Sequence, residues 1–184
     1  MTWKTLLKNL VKRRSLITTH INADPDGVCS CFSLSWLLES LGALRADVTF
    51  PGGISALSKR ILEYYGLEWR EDITLEDYDA LIILDAASLE VLGRARGWVE
   101  GFRGLLVGID HHARNPDLSK KLNFYVCREN YTSTCEVLCE AISEVGVRVP
   151  REVAELLLAG MVYDSRRFAR VSENTFRYAD SLLR

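Results

Sequence analysis

Apolar residues recur along the chain with two different spacings. Stretches with an apolar residue every three or four positions, the period of an amphipathic helix, alternate with short runs that are apolar throughout. The helical spacing predicts helices over residues 3–12, 28–41, 54–65, 133–145, 150–163 and 172–183. The short runs predict strands over residues 16–19, 46–50, 80–84, 105–109 and 124–127. Ser172 is the predicted N-cap of the last helix.

Strands that alternate with helices are typical of an α/β fold. The runs over residues 80–84 and 105–109 are continuously apolar, as expected of strands buried on both faces of a parallel sheet. We therefore predict a mostly parallel β-sheet flanked by helices on both faces. No internal repeat, low-complexity tract or interdomain linker interrupts the 184 residues, so we expect one domain over residues 1–184.

Acidic and histidine residues collect where the predicted strands end. All three histidines of the chain are among them: the residues are His20, Asp24 and Asp26 after the first strand, Asp85 after the third, and Asp110, His111 and His112 after the fourth. Asp164 directly follows the apolar helix of residues 150–163. Ligands of α/β proteins bind beyond the carboxyl ends of the strands, so these side chains are candidates for one shared site.

Each of these residues also has a purely structural explanation. Asp24 or Asp26 could cap the following helix, because aspartate is a common N-cap. Asp85 could cap a short helix beginning near Ser88, and the two adjacent histidines could be partly buried and hydrogen-bonded. The joint pattern favours a metal site, because several carboxylates that converge in one crevice repel each other unless cations neutralise them.

The residue types narrow the choice of metal. Carboxylates and imidazoles without a thiolate suit Mn²⁺, Mg²⁺, Fe²⁺ or Co²⁺ better than a structural Zn²⁺. Histidine among the ligands favours manganese over magnesium, which prefers oxygen. The five cysteines, at positions 29, 31, 127, 135 and 139, form no Cys-x-x-Cys pair and are predicted to be small buried thiols of a reducing cytosol.

Charge and hydropathy exclude some function classes. With 23 basic and 25 acidic residues the formal net charge is −2, so the chain as a whole has no strong attraction to nucleic acid or to anionic lipid. No apolar run approaches the roughly 18 residues of a membrane span. Residues 1–14 are basic and amphipathic and lack the apolar core of a secretory signal. We therefore expect a cytoplasmic protein that does not bind a membrane.

Four motifs occur in order along residues 15–183: His20-x-x-x-Asp24-x-Asp26-Gly27, an apolar strand ending in Leu84-Asp85, Asp110-His111-His112, and Gly160-x-x-x-Asp164-Ser165-x-x-Phe168. With them the chain resembles the DHH (Asp-His-His) phosphoesterase superfamily. That group includes RecJ-type exonucleases, oligoribonucleases, cyclic-dinucleotide phosphodiesterases and manganese-dependent inorganic pyrophosphatases. The Ser/Thr-rich segment from Tyr131 to Glu136 also resembles a helix start that the family carries between its third and fourth motifs.

The resemblance implies a role for each matching residue. It assigns two divalent metal ions, with Mn²⁺ favoured and Mg²⁺ or Co²⁺ as alternatives: His20 and Asp24 bind one ion, Asp26, His111 and Asp164 bind the other, and Asp85 bridges both. Asp110 would orient a ligand, and His112 would contact the substrate phosphate or protonate the leaving oxygen. Arg166, Arg167 and Arg170 are candidate phosphate contacts, and solvated surface arginine is the alternative for them.

The implied activity is metal-dependent hydrolysis of phosphodiester or phosphomonoester bonds. The expected substrates are short oligonucleotides or small nucleotides, attacked by a water that the two metal ions activate. The alternative is a non-catalytic metal-binding module that acts through protein partners in a replication or repair assembly. A protein partner or a homo-oligomer is left open. Pyrophosphatase activity is disfavoured, because we expect the smaller second domain of the family, which supplies basic residues, to be absent.

Overall fold

The computed structural model describes residues 2–184, and its centre is a five-stranded, fully parallel β-sheet. The strands are β1 (Arg14–Thr18), β2 (Arg45–Val48), β3 (Ala80–Leu84), β4 (Leu105–Asp110) and β5 (Phe124–Cys127), in the spatial order β2-β1-β3-β4-β5. The helices are α1 (Trp3–Leu10), α2 (Pro25–Ser40), α3 (Ala56–Tyr65), α4 (Ala95–Gly101), α5 (Pro116–Ser119), α6 (Thr134–Val145), α7 (Arg151–Asp164) and α8 (Thr175–Leu182). Two short 3₁₀ helices cover Leu75–Asp77 and Glu90–Leu92.

Strand β3 shows why the sheet is buried on both faces. Its side chains alternate between two hydrophobic clusters, with Ile82 and Leu84 in the larger and Leu81 and Ile83 in the smaller. The larger cluster is built with α1, α2, α6 and α7, and the smaller with α4, α5 and the 3₁₀ helices. A strand between two layers of helices must be apolar at every position, which is the pattern read from the sequence. The predicted α/β fold is confirmed.

The chain order places the motif-bearing strand ends side by side. From β1 the chain crosses to β2 at one edge of the sheet, and from β2 it returns past β1 to β3, so the order reverses between β1 and β3. Such a reversal opens a crevice beyond the carboxyl ends of the two strands. Strand β4 lies next to β3, with Leu84 paired to Ile109. The three predicted groups of polar residues therefore follow three adjacent strands.

Several predicted boundaries need correction. Helix α2 begins at Pro25 instead of residue 28, because Asp24 caps it and Pro25 suits its first turn. Ser172 is not an N-cap, since α8 begins at Thr175 after Asn174. The Ser172 hydroxyl instead donates to the buried carboxylate of Glu136 and accepts the Asn174 N–H.

Strand β2 begins at Arg45 and ends at Val48, two residues before the predicted end. Helices α4 and α5 were not predicted. They have seven and four residues, too few for a helical period to stand out in the sequence. All five cysteines are free. Four of them are buried as predicted, but the prediction is wrong for Cys127, which is partly exposed. Within residues 2–184, no helix is both long enough and apolar enough to cross a membrane.

Candidate metal centre

Side chains from three strand ends and from the end of α7 converge in the crevice. Three groups have potential ligand atoms within 4.8 Å of one another: His20, Asp24 and Asp85; Asp26, Asp85, His111 and Asp164; and Asp85, His111 and His112. Asp85 belongs to all three groups. All six residues predicted as metal ligands are therefore brought together, and their distribution over the ions stays a prediction.

The loop after β1 orients the first group. Asp24 caps α2, its carboxylate accepting the Gly27 N–H at 3.1 Å, so the capping explanation is correct for this residue, while its role as a metal ligand stays a prediction. The His20 ring bonds through Nδ1 to the Ile21 carbonyl at 2.8 Å. Its Nε2 lies 3.7 Å from an Asp24 oxygen and 3.6 Å from an Asp85 oxygen. Gly27 lets the ring come this close, since a Cβ there would lie 3.2 Å from Nε2.

Asp85 is the buried centre of the site, with 3% of its surface exposed. Its backbone is left-handed, at φ 53°, a strained conformation for a residue other than glycine. The Thr134 hydroxyl donates to its Oδ1 at 3.0 Å, and His111 Nε2 lies 3.4 Å from the same oxygen. The alternative that Asp85 caps a helix near Ser88 is wrong, because the next helical turn begins at Glu90 and has no side-chain cap.

The start of α6 holds Asp26, whose side chain is fully buried. The backbone N–H groups of Thr134 and Cys135 donate to its two oxygens at 2.6 and 3.0 Å. A helix N-terminus favours a negative charge, so α6 fixes this carboxylate without a basic residue. Gly160 of α7 faces the same place, and a Cβ on it would lie 2.4 Å from Cys135 Sγ and 2.8 Å from Asp26 Oδ1. The sequence flagged the Ser/Thr-rich segment and Gly160 but not these contacts.

Asp164, the last residue of α7, completes the second group. Its Oδ2 lies 3.1 Å from His111 Nε2. That nitrogen is buried, but it aligns with neither Asp164 nor Asp85 well enough for a hydrogen bond. An unpartnered, buried imidazole nitrogen beside two carboxylates fits a metal ligand.

Asp110 organises the neighbourhood of His112. Its Oδ1 accepts the backbone N–H groups of His111 and His112 at 2.8 and 3.1 Å and also lies 2.8 Å from His112 Nδ1. Its Oδ2 accepts the hydroxyl of Tyr125 at 3.1 Å. The sequence predicted an orienting role for Asp110 but missed Tyr125, because an aromatic residue in a strand is ordinarily read as core. Only the pairing of β4 with β5 brings the two together.

Opposite charges shift the pKa values of the clustered groups. Burial lowers the pKa of His20, but its contacts with Asp24 and Asp85 outweigh burial and raise it to about 10. Burial likewise lowers the pKa of His111, and Asp164 and Asp85 raise it to about 11. Burial and the charges of Asp85 and Asp164 together raise the pKa of Asp26 well above its usual range. The carboxylates thus draw protons onto the imidazoles to balance their charge.

The donor atoms of this cluster fit divalent cations. Four carboxylates face two imidazoles, and no lysine or arginine forms an ion pair with any of the four among residues 2–184. A buried cluster of this kind is stable only with compensating positive charge. Oxygen and imidazole donors without a thiolate suit Mn²⁺ or a similar ion. Burial raises the pKa values of the four buried cysteine thiols, so these thiols stay neutral and do not compete as ligands.

The three arginines predicted to contact phosphate lie after Asp164 and are exposed. The backbone of Arg166, Arg167 and the following Phe168 has the left-handed conformation, with φ values of 52°, 58° and 63°. Three such residues in a row form a strained turn directly beside the site. Among residues 2–184 no side chain pairs with the guanidinium groups of Arg166, Arg167 or Arg170. Their contact with phosphate stays a prediction.

Comparisons with known proteins show the family to which the fold belongs. A family model described as "DHH family, N-terminal domain" matches residues 14–161. An uncharacterized protein of Methanocaldococcus jannaschii is 31% identical over 183 residues, which are 97% of this chain and 54% of that protein. A probable manganese-dependent inorganic pyrophosphatase of Bacillus cytotoxicus is 30% identical over 156 residues, 83% of this chain and 48% of that protein. The chain thus spans about half the length of these relatives.

A solved structure shares the fold. The exopolyphosphatase-related protein from Bacteroides fragilis matches with a TM-score of 0.84 at 20% sequence identity, over 98% of this chain and 55% of that chain. At this identity the likeness concerns the arrangement of strands and helices and says nothing about the substrate.

Proposed function

The chain belongs to the DHH family of phosphoesterases, and from that membership we propose that it is a metal-dependent hydrolase of phosphodiester or phosphomonoester bonds in short oligonucleotides or small nucleotides. The observation that supports this most is the convergence of two histidines and four aspartates from four separate stretches of chain, with Asp85 at the centre of the group. Folding alone does not require such a cluster, because its carboxylates repel one another.

In this proposal His20 and Asp24 hold one divalent ion, Asp26, His111 and Asp164 hold a second, and Asp85 contacts both. Manganese is the proposed ion, in line with the manganese-dependent relative and the mixed donor set. When bound, the ions neutralise charge on the phosphoryl oxygens and lower the pKa of a water molecule that attacks phosphorus.

The surrounding residues fix the geometry of this chemistry. The N-terminus of α6 and Thr134 hold Asp26 and Asp85, so the ligand oxygens are in place before substrate arrives. Asp110 fixes the His112 ring through Nδ1, and Nε2 remains as the ring atom available to a substrate. His112 is the proposed contact to the phosphate or to the leaving oxygen, and the three exposed arginines are proposed as further phosphate contacts.

Pyrophosphate is a second candidate substrate, favoured by the Bacillus cytotoxicus relative. It would use the same ligands. In both cases we propose that residues 1–184 act as one catalytic domain. The free thiols also support a proposed location in the cytoplasm.

A substrate panel tests the proposal. The 184-residue chain is incubated with Mn²⁺, Mg²⁺ or Co²⁺ and with a dinucleotide, a trinucleotide, a nucleoside monophosphate or pyrophosphate. Asp85→Ala should abolish hydrolysis and leave the circular dichroism spectrum unchanged, because it removes the ligand shared by both ions. Asp72→Ala, at an exposed position, is the matched control and should be fully active.

Two outcomes would contradict the proposal. Activity retained in Asp85→Ala would show that the site is assigned wrongly. Metal-loaded protein that hydrolyses none of the four substrates but binds a protein partner stoichiometrically would favour the non-catalytic module.

A further inference from the structure

We infer that the cavity at the end of β2 binds the base of a nucleotide whose phosphate lies at the metal centre. This inference rests on the proposed function and narrows its substrate class to nucleoside phosphates. The cavity has a volume of about 310 Å³, at the lower end of the range for small-molecule sites. Its lining includes Phe50, Trp69, Arg70, Glu71 and Arg94.

The aromatic wall is fixed in place by its neighbours. Phe50, buried against the core, meets the half-buried Trp69 edge to face, with ring centroids 5.9 Å apart. The Arg70 N–H donates to the Val48 carbonyl at 2.8 Å, and the Thr49 hydroxyl donates to the Arg70 carbonyl at 2.7 Å. These bonds tie the segment that carries Trp69 to the edge of the sheet. The aromatic surface is therefore preorganised, which lowers the entropic cost of binding a flat ligand.

The cavity adjoins the loop that carries the metal ligands. Two of its lining residues, Gly53 and Ile54, lie beside Ala23: the Gly53 carbonyl accepts the Ala23 N–H at 3.0 Å, and Ile54 forms a parallel bridge with Ala23. Asp24 is the next residue along this loop. Strands β1 and β2 are also neighbours in the sheet, so His20 and the cavity follow adjacent strand ends. We therefore place the base in the cavity and the phosphate of the same ligand at the metal centre.

The chemistry of the lining selects a base over a chain of phosphates. Every nucleobase has a flat face that stacks on an aromatic ring, whereas pyrophosphate would place charge against apolar surface. The rim adds polar groups of both signs. Arg94 and Glu71 are exposed, and their side chains form no hydrogen bond or ion pair with another residue among 2–184. The guanidinium group of Arg94 offers hydrogen-bond donors and the carboxylate of Glu71 an acceptor, which match the polar edge of a base that stacks on the aromatic wall.

The test compares two ligands that differ only in the base. Binding of adenosine 5′-monophosphate and of ribose 5-phosphate to the 184-residue chain is measured by calorimetry in the presence of Mn²⁺. We expect the nucleotide to bind about tenfold more tightly or better, the size of one stacking contact. Trp69→Ala should remove this preference and leave the affinity for ribose 5-phosphate unchanged. Tyr64→Ala, an exposed aromatic outside the cavity, is the control.

Fluorescence gives a second measurement that does not depend on the folding of Trp69→Ala. Adenosine 5′-monophosphate should quench the wild-type protein, and Trp69→Phe should keep the affinity and lose that part of the quenching. Equal affinities of the wild-type protein for the two ligands would overturn the inference, as would an undiminished preference in folded Trp69→Ala. Both experiments measure binding and not hydrolysis. If the protein binds the nucleotide as expected but hydrolyses no substrate, only the proposed function fails.

Discussion

Tyr125 and Asp110 are joined by a hydrogen bond across β4 and β5, in which the tyrosine hydroxyl donates to Asp110 Oδ2 at 3.1 Å. The other oxygen of Asp110 accepts both backbone N–H groups after it and lies 2.8 Å from His112 Nδ1. Tyr125 is thus a positioning residue, because it fixes the carboxylate that orients His112.

Tyr125→Phe removes only this hydroxyl. We expect kcat to fall roughly tenfold, as is common when a partner that orients a site residue is lost, while KM changes little. Steady-state kinetics on the best substrate of the panel measures the two constants separately. Tyr64→Phe, on an exposed tyrosine, should have no effect. An unchanged kcat in Tyr125→Phe would show that Asp110 needs no support from β5.

The hydroxyl of Thr134 supports Asp85 in a similar way, donating to Oδ1 at 3.0 Å. Thr134→Val keeps the shape and the backbone N–H to Asp26 but leaves this oxygen without its donor. We expect the affinity for Mn²⁺ to fall by about ten- to a hundredfold, measured by calorimetry. Thr18→Val is the control, since the Thr18 hydroxyl is equally buried and has no hydrogen-bond partner. Equal metal affinities in the two variants would contradict this role of Thr134.

Gly160 is the point where α7 approaches Asp26 and Cys135 most closely. Gly160→Ala should lower the free energy of unfolding by roughly 1–3 kcal/mol, because the new methyl group overlaps both neighbours. Urea denaturation with chelator present measures this without a contribution from metal. Gly97→Ala, on the open side of α4, has space for a methyl group and should gain about 0.5–1 kcal/mol. A Gly160→Ala chain as stable as the wild type would mean that α7 can shift away.

Metal binding should stabilise the fold, since the carboxylate cluster is assembled only in the folded chain. At a hundredfold excess over Kd, Mn²⁺ should add about 2.7 kcal/mol to the free energy of unfolding. For a domain of this size that corresponds to roughly 5–10 °C in Tm. Calorimetric scans with Mn²⁺ and with chelator measure the shift, and Asp85→Ala should lose most of it. A shift of equal size in Asp85→Ala would place the bound ions elsewhere.

The sequence by itself determined the sheet and its burial, and its resemblance to a known family selected the six candidate ligands. A short, continuously apolar run such as residues 80–84 is typical of a strand that is covered on both faces. Polar residues that follow parallel strands meet at the edge of the sheet where the carboxyl ends of the strands lie. It also indicated a cap at Asp24 or Asp26, and the structure shows that Asp24 is the cap. The local pattern did not fix where α2 begins, because an aspartate at position 24 and one at position 26 suit an N-cap equally well.

Only the tertiary structure decided which groups support the ligands and what lies beside them. The bonds from α6 to Asp26 and from Tyr125 to Asp110 join residues 108 and 15 positions apart, and neither has a local sequence signal. The left-handed backbone of Asp85 likewise depends on its surroundings, which compensate the strain. The aromatic cavity beside Ala23 arises from the packing of Trp69 over an edge strand. Spacing along the chain reports periodicity, whereas these contacts depend on how the elements pack.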